Sequence, residues 1–132
     1  MMDGAGPTPD LRIDTMALDR LMPMHLCLSP SGHIFACGPT LRKLVPDTRL
    51  IGRWFFEMFE IRRPSGLNSL PQLQRRAGDR LYLSLRGQPN PGFRGIALPL
   101  ADGQGMLINL SFGIAVIDAV RNHSLTDADF AA

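Results

Sequence analysis

Four residues in one short stretch have the right types for chemistry. His25, Cys27, His33 and Cys37 all fall within MPMHLCLSPSGHIFACG, residues 22–38, which holds both cysteines of the chain and two of its three histidines. Imidazole and thiolate are good zinc ligands, but zinc needs three or four donors converging at about 2.0–2.3 Å. No C-x-x-C is present to pre-set such a cluster. The pattern of the stretch points to a hairpin instead. Met24, Leu26 and Leu28 alternate with His25 and Cys27, as on a strand. Ser29-Pro30-Ser31-Gly32 supplies turn chemistry, and His33 to Cys37 reads as the return strand. On this reading Cys27 and Cys37 are small buried hydrophobes. His25 is then a structural histidine whose ring donates to a backbone carbonyl. A disulfide would require strands that place the two cysteines opposite each other, and would be unusual in a reducing cytoplasm. No metal and no cofactor are expected.

Other catalytic patterns are missing from the sequence. There is no G-x-S-x-G elbow, no H-E-x-x-H and no phosphate loop. Gly103-Gln104-Gly105 reads as a hairpin loop. An enzyme active site is therefore not expected in this chain. The formal charge is only +2, with Lys43 as the sole lysine, so no clustered basic face for nucleic acid is indicated. No signal peptide and no apolar run of ~20 residues is visible, so the expectation is a cytoplasmic protein without a membrane span.

The elements that must position these residues follow from pattern. At 132 residues, 45% of them apolar, the chain suits one domain with a real core. Residues 1–12 read as a disordered lead-in, 13–122 as the domain, and 123–132 as the start of a linker helix. Asp14 or Thr15 caps a short helix over MALDRLM that ends at Pro23. After the hairpin, Gly38-Pro39 opens a helix over TLRKLV. LIGRWFFEMFEIRRP, residues 50–64, is the most aromatic part of the chain, and is read as a helical turn leading to a strand near Phe59–Arg62. Ser69-Leu70-Pro71-Gln72 fits a capping box, with a helix to about Ala77 and a stop at Gly78. Arg80 to Arg86 alternates as a strand, Gly87 to Gly92 reads as a loop, and Phe93 to Leu100 and Met106 to Phe112 read as strands about an Asp-Gly turn. A last helix is expected over 114–122. Thr126-Asp127-Ala128-Asp129 looks like a further helix start close to the last residue, which suggests a downstream domain beyond it. The order β-β-α-α-β-α-β-β-β implies an α+β, PAS-like fold, an antiparallel sheet of about five strands with helices mainly on one face.

Several of these stretches resemble a known family. Met22-Pro23-Met24-His25-Leu26 and Ala36-Cys37-Gly38-Pro39-Thr40-Leu41-Arg42-Lys43-Leu44-Val45-Pro46 look like the opening of the haem-NO-binding-associated domain. That domain is the PAS-like module beside the haem sensor of soluble guanylate cyclases. Phe59-Glu60-Ile61-Arg62-Arg63-Pro64 and Leu83-Ser84-Leu85-Arg86-Gly87-Gln88 resemble two later motifs of the family, and Ile108 to Leu125 resembles its exit segment. The likeness spans roughly residues 20 to 130, with a shorter stretch between Pro64 and Leu81 than in animal members. It implies a regulatory, dimerising module. The exit resembles bacterial forms that precede a diguanylate cyclase (GGDEF) domain. A haem-NO-binding sensor protein or another signalling domain is an implied partner.

Two groups of residues are the candidates for that role. Apolar stripes on the flanking helices, Leu18, Leu21 and Met22 at the front and Ile114, Ile117 and Val120 at the back, are expected to cover the sheet in part and to pair in a homodimer. Trp54, Phe55, Phe59 and Leu83 either line a ligand pocket between sheet and helices or simply fill the core. The pocket alternative would make the domain a small-molecule or cofactor sensor; His25 or His33 could then ligate a haem, though spacing selects neither. Arg62, Arg63, Arg75 and Arg76 are read as solvated surface or as a contact for an acidic partner.

Overall fold

The structure is a computed structural model that describes residues 11–45 and 49–113. Its elements are α1 (Thr15–Leu21), β1 (His25–Leu28), β2 (Ile34–Cys37), α2 (Pro39–Leu44), α3 (Phe55–Met58), β3 (Phe59–Arg63), α4 (Leu70–Arg75), β4 (Arg80–Leu85), β5 (Gln88–Pro99) and β6 (Met106–Phe112). The six strands form one antiparallel sheet in the order β2-β1-β6-β5-β4-β3. Chain order and spatial order differ at one place. β6 returns from the meander to lie between β1 and β5.

Alternation decides which face is inside. Leu26 and Leu28 of β1, Leu81, Leu83 and Leu85 of β4, and Met106, Ile108, Leu110 and Phe112 of β6 all enter one core. The helices close that face with Leu41 and Leu44 from α2, Phe55 and Phe56 from α3, and Leu70 and Leu73 from α4. The aromatic rings form a chain: Phe55 stacks on Phe59 at 5.2 Å between centroids, Phe59 meets Phe93 at 6.4 Å, and Phe93 meets Phe112 at 6.0 Å. Each fully buried Phe contributes roughly 1.5–3 kcal/mol by burial alone.

Two glycines are required by close approach. A Cβ at Gly38 would run into the carbonyl of Pro23, where the end of β2 crosses the lead into β1. The crossing is tied by Thr40 N donating to Pro23 O (3.0 Å) and Gly38 N to His25 O (2.9 Å). Gly105 has φ +119°, and a Cβ there would collide with the Leu28 carbonyl.

Several expectations need correction. Among the described residues the sheet has six strands rather than about five, because Phe59–Arg63 joins it as an edge strand on β4, with a register shift between Ile61 and Arg63. Gly87 to Gly92 is not a loop: Gly87 (φ 76°) closes a tight turn, and β5 runs for 12 residues from Gln88. Pro89 and Pro91 suggest a loop because they cannot donate to the ladder, yet the register shift between Leu83 and Leu85 absorbs them. α4 stops at Arg75 rather than Ala77. Its capping box does not form: Gln72 Oε1 accepts from Asn68 N at 2.8 Å, and the Ser69 side chain caps nothing. The front helix forms as expected, with the Asp14 carboxylate accepting from Ala17 N at 2.9 Å. It buries none of its residues, however. The expected helix over 114–122 and the helix start at Thr126 lie outside the described residues.

Candidate functional site

The hairpin sends its four candidate ligands to different places. His25 and Cys27 alternate with Leu26 and Leu28, so they lie on the sheet's outer side, away from the core. Cys37 pairs with Leu26 and joins the core itself. His33 is exposed at the turn, where Ser31 Oγ lies 2.9 Å from its Nδ1. Among the described residues no group of three or more His, Cys, Asp or Glu side chains could hold a metal. Both cysteines are free and buried on opposite faces, so the disulfide alternative falls away. Burial pushes both thiols up, and at Cys37 the nearby Arg42 guanidinium only partly offsets it.

His25 is the structural histidine of the pattern. It is fully buried, and its Nδ1 donates to the Met22 carbonyl at 2.9 Å. Asp19 Oδ1 lies 4.0 Å from the same nitrogen. The ring thus ties the end of α1 to the start of β1. Nε2 is buried without a partner among the described residues.

The aromatic group is divided between core and surface. Phe55, Phe59 and Leu83 are sealed in the core, while Trp54 is 39% exposed. Trp54 belongs to a surface cluster beside the hairpin turn: its backbone bridges to His33, and its ring lies over Gly32. Glu57 Oε1 accepts from Trp54 N at 3.1 Å and from Arg53 Nε at 3.1 Å. The Arg53 guanidinium, the Trp54 amide and the charge of His33 hold the Glu57 carboxyl below its usual range.

Of the two apolar stripes, only the front one is described. Leu18 and Met22 are half-buried and Leu21 is 65% exposed. Ile114, Ile117 and Val120 lie outside the described residues. The four arginines do not act as one group. Arg62 Nε donates to Ser84 Oγ at 3.0 Å, Arg76 pairs with Asp79 at 3.6 Å, and Arg63 and Arg75 are exposed on different elements.

The feature that sequence reasoning missed is the outer face of the sheet. Ile96 and Leu98 of β5 are 46% and 51% exposed, and Phe35, the extra residue of the β1–β2 bulge, is 51% exposed. Leu107 lies opposite both Leu98 and Cys27 and is half-buried. Toward the other edge the same face turns basic and polar. Tyr82, Arg94 and Ser111 stand in one row across β4, β5 and β6, and Arg80 stands opposite Ile96 in the next. A groove of about 230 Å³ runs between Arg80, Arg94, Gly95, Ile96 and Ser111. Alternation in β4, β5 and β6 singles out these outward positions. Which of them become neighbours depends on register, and register is set by bulges that no pattern announces.

No helix among the described residues is long and apolar enough to cross a membrane. No protein-family model and no curated protein matches the chain.

Proposed function

We propose that this chain is a PAS-like regulatory and dimerisation domain of a signalling protein, acting on a downstream output domain of the nucleotide cyclase type. The observation that carries this reading is the uncovered apolar part of the outer sheet face at Ile96 and Leu98 of β5, on a sheet whose other face is sealed by helices. Exposed apolar side chains grouped on one sheet face are the kind of surface that marks interaction sites. α1, with Leu21 and Met16 exposed and none of its residues fully buried, is a second element with apolar side chains on the surface.

The route for coupling follows from topology. His25 at the start of β1 pairs with Asn109 near the end of β6. The chain therefore enters from α1 and leaves after Phe112 at one end of two adjacent central strands. A shift of α1 or of a second subunit on the outer face would bear on both strands together. The motif likeness to the haem-NO-binding-associated domain and the element order β-β-α-α-β-α-β-β-β support the same reading. A homodimer is the first assembly to expect, with a haem-NO-binding sensor protein or another signalling domain as further partner.

Native mass spectrometry of the purified chain, before and after denaturation, tests this. A dimer with no added mass is the expected result. A monomer that releases a small molecule on denaturation would overturn the reading in favour of a ligand sensor.

A further inference from the structure

We propose that Arg80, Arg94 and Ser111 form a binding site for a small organic anion, a carboxylate or phosphate monoester on a short stem, in the groove on the outer sheet face. The site is built by register. Arg94 stands directly opposite Ser111 on β6 and Tyr82 on β4, and Arg80 stands opposite Ile96 one alternation step along. Side chains at such diagonal positions on adjacent strands are within reach of each other. Two guanidinium groups and a hydroxyl therefore flank one strip of sheet, with Ile96 as an apolar wall.

The charge on this strip is not neutralised from within. Arg53 and Arg76 pair with Glu57 and Asp79, and Arg42, Arg62 and Arg86 donate to Cys37 O, Ser84 Oγ and Phe56 O. Arg80 and Arg94 have no such acceptor among the described residues. Of the nearby carboxylates, Asp79 is taken by Arg76, and Glu60 stands on β3 opposite Ser84, outside the groove lining. Two unpaired guanidinium groups on adjacent strands leave a local positive field that an anion would neutralise. Guanidinium forks match carboxylate and phosphate oxygens two at a time, and the serine hydroxyl adds a third donor.

The size of the groove limits the ligand. Its volume of about 230 Å³ is below the range of drug-sized pockets. That leaves room for a small anion such as phosphate or a four-carbon dicarboxylate. Ile96 favours a stem of a few carbons over a bare ion. Ile96 is shared with the apolar part of the outer face, but Arg80, Arg94 and Ser111 lie outside it, and the anion site does not rest on the dimer reading.

The test is a titration of the whole chain with inorganic phosphate and, separately, with succinate, each against sodium chloride at matched ionic strength. Backbone amide shifts of Arg94, Ile96 and Ser111 are the readout. Saturable shifts confined to this strip are expected with at least one probe, and the probe that saturates first identifies phosphate or carboxylate as the preferred head. Arg94→Ala and Arg80→Ala are each expected to weaken binding about tenfold or more, and Arg94→Lys to fall between, since it keeps the charge and loses the fork. Both arginines are exposed, so unchanged thermal midpoints will show that the variants remain folded. Shifts that never saturate, that sodium chloride reproduces, or that survive both alanine substitutions would overturn the proposal.

Discussion

The two faces of this sheet are made by the same strands, and they answer to different constraints. In β4, Leu81, Leu83 and Leu85 enter the core while Arg80, Tyr82 and Ser84 alternate with them. In β5, Phe93 and Ala97 are buried while Arg94, Ile96 and Leu98 face outward and are exposed. The inner face is closed by three short helices and a chain of packed phenylalanine rings. The outer face is closed near His25 and Cys27 and at Ser84, which accepts from Arg62. One residue of register separates a position that holds the fold together from one left on the outer face.

The sharpest way to break the comparison is to empty the inner face. Phe59→Ala removes a ring in contact with both Phe55 and Phe93 and is expected to cost about 3–5 kcal/mol, measured by urea denaturation. Next comes Gly105→Ala, whose new Cβ would meet the Leu28 backbone at a left-handed φ. A loss of about 3 kcal/mol is expected on the same assay. A loss at either site no larger than that of an exposed substitution would mean that these packing contacts are not made.

Such effects show which parts of the molecule were legible beforehand. The β1–β2 hairpin, the strand after Trp54 and the alternation of β4 can be read directly, because a half-buried strand writes its period into the sequence. Asp14 as a cap and the role of His25 follow from local chemistry. Gly87–Gly92 misleads, since two prolines and two glycines signal a loop where the start of an interior strand with a register shift forms. Trp54 misleads in another way. Its neighbours Phe55 and Phe56 take the inward positions of a single helical turn, and composition alone cannot phase so short an element. The arginine groove is illegible for a stronger reason: Arg80, Arg94 and Ser111 come from three strands, and only pairing makes them neighbours.

The smallest effect lies in the surface cluster at the hairpin turn. Glu57 titrates below the ordinary carboxylate range because of Arg53 first and the Trp54 amide second. Its folded value lies below its unfolded one, so its contribution is present above the unfolded value and fades as pH falls through the folded one. The pair is exposed to solvent, so the effect is small. Glu57→Gln should slightly flatten the fall in thermal midpoint between neutral and acid pH. An unchanged profile would show that the Arg53–Glu57 pair contributes nothing to stability.

The central claim is that the uncovered outer face is a surface for a second subunit. Sedimentation equilibrium of the whole chain, from micromolar to hundreds of micromolar, tests it most directly beside Leu98→Glu. Leu98 is 51% exposed, so the substitution should leave the denaturation midpoint nearly unchanged, within about 0.5 kcal/mol. The account predicts twice the 14.5 kDa chain mass for the unaltered protein and the single-chain mass for the variant. A single-chain mass for the unaltered protein at every concentration, or a dimer that Leu98→Glu leaves intact, would contradict it.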